Sequence, residues 1–188
     1  SRTGSIMRSP SRPAGKISVR EMCLLALMGA LMFVMQVAMA PVRNVHMTDV
    51  LIILTAVFFG WRVMYSVFVF VVLEGLMWGF GLWVLSYMYL WPILAAAAVL
   101  MRKNDSSIVW AIVAALHGLF FGLGCSIPYL FIGGWNMAFT YFITGIPFDI
   151  RHCIGNFVLT FVLYRPLKRA MEAGARQIKL IGNAKKRI

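Results

Sequence analysis

Acidic residues are scarce in this sequence: six of its 188 residues are Asp or Glu, against eighteen Lys and Arg. A transporter that relays protons between carboxylates would have little to work with in such a chain. Cysteine is also scarce, and Cys23, Cys125 and Cys153 show neither a CxxC pair nor a Cys/His metal spacing. Cys125 and Cys153 would lie near the outer surface and could pair, but three free thiols packed among helices are the favoured interpretation.

The motifs of common hydrolytic chemistry are absent as well. The sequence has no G-x-x-x-x-G-K-[ST] phosphate loop, no G-x-S-x-G turn and no H-E-x-x-H pair. A membrane enzyme acting on lipid would need several carboxylates or histidines at one depth, and His117 with Glu74 is too small a set. We therefore expect no catalytic residue and no cofactor in this chain.

Hydrophobic residues, by contrast, make up 61% of the chain, whereas charged residues make up 13%. Soluble domains contain roughly 25% charged residues. A net charge of +12 would suggest a nucleic-acid partner in a polar chain. Here the positive residues cluster in the two tails and in short turns beside apolar runs, which is the pattern of membrane topology. The composition predicts an all-α integral membrane protein that binds no nucleic acid.

The apolar runs divide into six predicted transmembrane helices, because a crossing needs roughly 20 residues at 1.5 Å each. These helices cover residues 21–40, 47–60, 63–78, 82–101, 107–125 and 148–166. The second is short, which fits a helix buried among the others. Residues 126–147 are apolar but rich in Pro and Gly, and a seventh crossing would place the basic C-terminal tail outside. We therefore predict an outer loop or a short re-entrant helix there.

Positive charge gives the predicted bundle an orientation. Sixteen of the eighteen Lys and Arg residues would fall on one side of the bilayer, and only Arg43 and Arg151 on the other. Under the positive-inside rule both termini are cytoplasmic. Residues 1–20 then form a basic, disordered N-terminal tail, and residues 21–167 form the membrane domain. Residues 168–188 form a basic cytoplasmic tail that could lie as an amphipathic helix on the anionic inner leaflet.

Four short pieces of the sequence occur together in an arrangement known from one transporter family. Ala26 and Ala30 lie one turn apart on one face of the first helix. Pro41-Val42-Arg43-Asn44-Val45-His46 forms a short outer loop, and the last helix is opened by Ile146-Pro147-Phe148-Asp149 and closed by Tyr164-Arg165-Pro166-Leu167. With six helices in 188 residues, this combination resembles the substrate-binding S components of energy-coupling factor (ECF) transporters over residues 18–168.

The resemblance implies a subunit of an ATP-driven importer in a bacterial cell membrane. Such a subunit captures a vitamin outside the cell and docks on a transmembrane T component and two ATPases, where ATP and Mg²⁺ act. It also implies that Ala26 and Ala30 contact the T component, and that the subunit topples in the membrane to deliver its ligand. The missing phosphate loop fits this division of labour.

In this family the pocket lies at the outer end of the helices, where polar and aromatic residues of this sequence concentrate. The candidate substrate-binding residues are Arg43, Asn44, His46, Glu74, Trp78, Trp83, Tyr87, Trp135, Asn136, Asp149, Arg151, His152 and Asn156. The alternative for each tryptophan is an interfacial aromatic belt, and for Glu74 a role in holding helices together. Arg43 and Arg151 could attract an anionic group, or pair with Asp49 and Asp149.

No metal site is predicted, since His46 and His152 lack a third ligand of suitable spacing and fit ordinary interfacial histidines. The Trp- and Met-rich wall and the lack of a dense cationic cluster favour a large, largely neutral vitamin. Cobalamin is therefore the leading substrate. Pantothenate, folate or another vitamin is the alternative, as is a stand-alone small-molecule carrier or channel.

Overall fold

A computed structural model describes residues 17–41 and 45–184, the last eight of them by backbone alone. Every regular element in this part of the chain is helical. The helices are α1 (Val19–Ala38), α2 (Thr48–Phe59), α3 (Val63–Trp78) and α4 (Leu82–Leu100), followed by one long stretch, Ser107–Ala184. A single turn of 3₁₀ helix, Gly60–Arg62, joins α2 to α3. The predicted all-α class is confirmed.

The long C-terminal stretch is two helices joined by a sharp reversal at Gly134. The backbone there has φ 68° and ψ −167°, a left-handed conformation that glycine adopts without steric cost. We call the two parts α5 (107–133) and α6 (135–184). They run antiparallel, because the Asn156 side chain donates to the Ala114 carbonyl and Arg165 donates to Ser107.

Most helices begin close to the residues that interrupt the apolar runs of the sequence. Ser18 caps α1, with its hydroxyl accepting from the Glu21 amide at 3.2 Å, so this helix begins two residues earlier than predicted. The α2, α3, α4 and α5 helices begin within one residue of their predicted starts. Of the predicted disordered tail, residues 1–16 lie outside the described residues, while Val19 and Arg20 are helical.

Residues 126–147 differ most from the sequence-based prediction. They form the tip of the α5–α6 hairpin rather than a loop or a re-entrant helix, with Pro128 and Pro147 inside helical segments. The helix α6 also runs past the predicted end of the last span, through the start of the predicted tail to Ala184. Proline is tolerated inside helices of membrane proteins, because neighbouring groups satisfy the backbone that it frees.

Four helical stretches are long and apolar enough to cross a membrane: Val19–Ala38, Thr48–Trp78, Leu82–Leu100 and Ser107–Arg176. Large apolar side chains cover their outer faces; Leu27 is 65% exposed, Leu76 69% and Val162 58%. A soluble protein would bury such contiguous apolar surface. These are the helices of a membrane protein.

The chain reverses direction at each connection. The α1 and α3 helices run the same way, because Arg62 contacts Glu21 at 2.5 Å and Ser66 donates to the Leu25 carbonyl at 2.7 Å. Gly29 makes this contact close, since a Cβ there would lie 2.6 Å from the Ser66 carbonyl oxygen. The described chain therefore contains six helical segments, α1 to α6.

One end of the bundle contains ion pairs that Lys and Arg form with acidic residues, and we call it the basic end. It holds the Arg62–Glu21 pair and the pair between Lys168 and Asp105. The first turn of α1 contributes Glu21 to this end, and the later part of α6 contributes Lys168. The connection between α1 and α2 lies at the opposite end, which we call the cavity end.

The short helix α2 is the centre of the molecule. At 12 residues it is about 18 Å long, and residues 48–56 are all buried. The other helices surround it, and Trp91, Trp110 and Phe70 fill the spaces between them. The helix predicted as the short second span is thus buried among the other helices. This arrangement places the N-terminus of α2 inside the protein at the cavity end.

Candidate functional site

A cavity of about 380 Å³ opens among α4, α5, α6 and the connection before α2. This volume lies within the usual range of small-molecule sites. The lining combines aromatic rings with imidazole, carboxylate, hydroxyl and thiol groups. The lining residues are His46, Tyr87, Phe121, Gly122, Cys125, Tyr141, Thr144, Gly145, Phe148, Asp149 and His152.

All three histidines of the chain converge on one buried carboxylate beside this cavity. Asp49 is 1% exposed and lies in the first turn of α2, where the helix dipole favours negative charge. Its Oδ1 is 2.7 Å from Nδ1 of His117. Its Oδ2 is 3.9 Å from Nε2 of His152, too far for a hydrogen bond. The histidines come from three separate parts of the chain, so the helix packing creates the cluster.

The His117 ring is held between two acceptors. Its Nδ1 faces the Asp49 carboxylate, and its Nε2 lies 3.2 Å from the Leu90 carbonyl oxygen. A carboxylate accepts hydrogen bonds, so Nδ1 of His117 is the donor of the contact with Asp49. This hydrogen bond provides the buried Oδ1 atom with a partner that water cannot supply there.

His46 and His152 lie edge to face, with ring centroids 4.7 Å apart and an angle of 74° between planes. His46 is in the connection between α1 and α2, where burial, aided by the neighbouring His152, lowers the pKa of its ring to about 4. His46 is therefore neutral at pH 7, and one ring nitrogen keeps a free lone pair.

Three side-chain atoms of this cluster have no hydrogen-bond partner among the described residues. They are Nδ1 of His46, Oδ2 of Asp49 and Nε2 of His152. Ligand atoms of these three residues lie within 4.8 Å of one another. Buried polar atoms are almost always paired, so three unpaired ones in one cluster need a physical cause.

Aromatic rings enclose the histidine cluster on the α4 and α5 side. Trp91 lies 5.2 Å from the His117 ring, and Phe121 lies 5.1 Å from the His152 ring. Tyr87 packs edge-on against Trp91 at 5.5 Å and forms part of the cavity wall. These rings exclude water from the inner side of the cluster and leave the cavity as its open side.

Asp149 is the second buried carboxylate at the cavity. Its Oδ1 accepts from the Gly122 amide at 3.0 Å, and Oδ2 has no partner among the described residues. A Cβ at position 122 would lie 2.2 Å from Oδ2, and one at position 118 would lie 2.9 Å from the His152 backbone. Gly118 and Gly122 thus allow α5 and α6 to approach closely, since small residues four positions apart lie on one face of a helix.

Four of the predicted substrate-binding residues line the cavity: His46, Tyr87, Asp149 and His152. Arg43 and Asn44 lie outside the described residues. The remaining seven do not line the cavity; they are Glu74, Trp78, Trp83, Trp135, Asn136, Arg151 and Asn156.

Those seven occupy three kinds of place. Glu74 and Asn156 are buried in the bundle. Trp83 packs against Tyr87, one layer behind the cavity wall. Trp78, Trp135, Asn136 and Arg151 are exposed. Trp135 borders a separate, apolar cavity of about 430 Å³ near the hairpin tip. Arg151 donates to the Pro147 carbonyl and lies over the Phe148 ring, so it does not pair with Asp149.

The site also contains residues that were not among the predicted substrate-binding residues. Asp49 pairs with His117 rather than with an arginine among the described residues. Phe121 and Cys125 follow His117 at intervals of four residues, which is one face of a helix, and this spacing is the signal that could have found them. Cys23, Cys125 and Cys153 are free, as favoured from the sequence.

The predicted partner-contact residues lie on the outer part of α1. Its buried face consists of Leu25, Gly29 and Met32. Ala26 is exposed and Ala30 is half-buried, so neither belongs to that buried set.

Comparison with known protein families, with characterised proteins and with solved structures finds no match to this chain.

Proposed function

We propose that this chain is the substrate-binding subunit of an ATP-driven micronutrient importer of the ECF type. The observation that carries the proposal is the cavity at one end of the helical bundle, which combines an aromatic wall with one buried carboxylate and two histidines. A few convergent polar groups in an apolar-walled pocket are what a small-molecule site requires.

The orientation follows from charge. In the proposed topology all six helical passes cross the bilayer, and the basic end faces the cytoplasm with both termini. The cavity end, with His46 and Asp149, then faces outside, where a nutrient is captured. The Lys168–Asp105 and Arg62–Glu21 pairs would lie at the inner surface.

The cavity volume bears on the substrate. About 380 Å³ suits a vitamin built on one or two small rings, whereas the corrin ring of cobalamin would extend far outside the cavity. We therefore propose a smaller nutrient, in the size range of pantothenate or folate, in place of the cobalamin favoured by the sequence. The imidazole and carboxylate groups favour a ligand that carries hydrogen-bond donors.

The energy source lies in partner proteins under this proposal. The sequence has no phosphate-binding loop, so ATP would be hydrolysed by two ATPase subunits that act through a T component. The exposed side of α1 around Ala26 supports docking there, because a small side chain lets a partner helix approach closely.

Copurification tests the proposal. The tagged chain is isolated from its native host, and both the accompanying proteins and the extracted small molecules are identified by mass spectrometry. We expect a T component, two ATPases and a vitamin. A chain that yields no vitamin, and that moves a solute across liposomes by itself, would instead be a stand-alone carrier or channel.

A further inference from the structure

The three unpaired atoms beside the cavity match the donors of a transition-metal site. Two imidazoles and one carboxylate are ligands that Zn²⁺, Co²⁺, Ni²⁺ and Fe²⁺ accept, with metal–ligand bonds of about 2.0–2.2 Å. All three donor atoms, Nδ1 of His46, Oδ2 of Asp49 and Nε2 of His152, are buried. Each residue thus offers one buried donor, and none of the three donors is used by another group among the described residues.

The spacing of these atoms is close to what a metal requires. In a tetrahedral site with bonds of about 2.1 Å, neighbouring ligand atoms are about 3.4 Å apart. Oδ2 of Asp49 and Nε2 of His152 are 3.9 Å apart, and one ligand atom from each of the three residues lies within 4.8 Å of the other two. A rotation of the His46 ring, which lies in a connection rather than in a helix, would close the remaining gap.

The surroundings of Asp49 resemble the outer shell of a metal site. His117 holds Oδ1 at 2.7 Å and leaves Oδ2 free on the side of His152. Groups that hold a ligand through its second atom fix its orientation and are typical of metal centres.

The open side of the cluster faces the cavity. His46 and His152 belong to the cavity lining, whereas Asp49 lies behind them. An ion held by the three residues would keep at least one coordination position toward the cavity. Three protein ligands with an open position are typical of sites where a metal binds a further molecule, whereas structural sites are closed.

We propose that His46, Asp49 and His152 bind a divalent first-row transition-metal ion, with an open coordination position that faces the cavity. The ion would hold a donor group of the cavity ligand, such as a carboxylate, a phosphate or a ring nitrogen. This second part rests on the proposed function, whereas metal binding itself rests only on the cluster. The third ligand, Asp49, is the one that the spacing of His46 and His152 in the sequence did not indicate.

Cobalt binding tests the proposal on the full chain in nanodiscs, with any affinity tag removed and bound metal stripped by a chelator. Titration with CoCl₂ alone, followed by calorimetry and by the visible spectrum of Co²⁺, should give one ion per chain. The substitutions His46→Ala and His152→Ala should each weaken binding by at least about 100-fold, which exceeds the effect typical of outer-shell residues. His117→Gln should weaken it by about 10–100-fold.

Control variants test whether Co²⁺ binds at the proposed site rather than at other side chains. Cys153→Ser removes a free thiol next to His152 in the sequence that does not line the cavity, and it should leave Co²⁺ affinity unchanged. Each variant must elute as a single species and show the wild-type unfolding transition by tryptophan fluorescence, so that loss of binding is not loss of fold. His46→Ala changes a connection rather than a helix, and it is the variant best suited to retain the fold.

Two outcomes would overturn the metal site. One is that the wild-type chain takes up no Co²⁺, and the other is that Co²⁺ affinity is unchanged in both His46→Ala and His152→Ala. Binding of the copurified nutrient in the presence of chelator separates the proposals. Full affinity there would remove the metal from ligand recognition and leave the importer function standing.

Discussion

Asp49 and His117 are 68 residues apart in the sequence, yet Oδ1 and Nδ1 lie 2.7 Å apart in the interior of the bundle. This contact joins the N-terminus of α2 to the middle of α5. Their side chains are 1% and 7% exposed, so neither can be solvated by water. The pair therefore fixes where the central helix meets the α5–α6 hairpin.

Removing one partner of this pair should destabilise the protein strongly. His117→Leu leaves Oδ1 of the buried Asp49 carboxylate without its hydrogen-bond donor, and an unpaired buried polar group costs about 1–3 kcal/mol, and more when it is charged. Unfolding by denaturant in detergent, followed by tryptophan fluorescence, measures the loss. The double variant Asp49→Asn with His117→Leu should lose less than the sum of the two single variants, because the buried carboxylate is removed together with its donor. Additive losses would show that the two residues do not act as a pair.

A methyl group at Gly122 should disturb the contact between α5 and α6. The added Cβ would lie 2.2 Å from Oδ2 of Asp149, so the Asp149 side chain or one of the two helices must shift, at a cost of about 1–3 kcal/mol. Ligand affinity should fall with stability, since both residues line the cavity. Gly174→Ala, on the same hairpin with open space around it, is the control. It should be neutral or slightly stabilising, because alanine favours helix more than glycine does. Equal stability of the two variants would contradict this packing.

A bulky residue at Cys125 should block the cavity. Cys125→Trp places a large ring among Tyr87, Tyr141 and Asp149, and it should abolish binding of the copurified nutrient. Leu123→Trp is the matched control, because Leu123 lies on the same helix but lines the separate apolar cavity. Equilibrium dialysis with labelled nutrient measures both. Full binding by Cys125→Trp, or loss of binding by Leu123→Trp alone, would place the ligand elsewhere.

A large side chain on the outer face of α1 should separate uptake from binding. Ala26→Trp should leave nutrient affinity unchanged, since position 26 lies away from the cavity lining, and it should abolish uptake by obstructing the T component. Ile93→Trp, which is equally lipid-facing but on α4, should retain both activities. A parallel loss of binding and uptake in Ala26→Trp would argue against a docking surface on α1.

Most helix boundaries could be predicted because polar and special residues interrupt the apolar runs. Ser18 caps the first helix, Gly60 and Arg62 mark the second reversal, and Asn104 and Asp105 separate α4 from α5. Each of these signals is local. They act on the residues next to them, so they can be read without knowing which helices touch.

The hairpin tip could not be predicted in the same way. Pro128, Gly133 and Pro147 are typical of loops in water, but in an apolar environment an unpaired backbone is costlier than a strained helix. The reversal is concentrated at one residue, Gly134, which has the only non-helical backbone within the described stretch 107–184. Several Gly and Pro residues nearby have the same local signature, and only the packing of α5 on α6 selects one.

The site was predicted in part because some of its residues share a face of one helix, whereas others are brought together only by helix packing. Asp149 and His152 are three residues apart on one helix, so their shared face is visible in the sequence. The positions of Asp49 and His117 depend on which faces of α2 and α5 meet. That choice is made by burial of the apolar residues of α2 in the bundle, and a single sequence does not contain it in readable form.

Reconstitution tests directly whether this chain binds a nutrient that partner ATPases then import. The chain is placed in liposomes with and without the T component and ATPases of its host, and uptake of the labelled, copurified nutrient is measured with ATP supplied to the ATPase side. We expect uptake only when the T component, the ATPases and ATP are all present, and we expect nutrient binding by the chain alone. Uptake by the chain alone without ATP would contradict the proposed function, as would the absence of nutrient binding in the cavity.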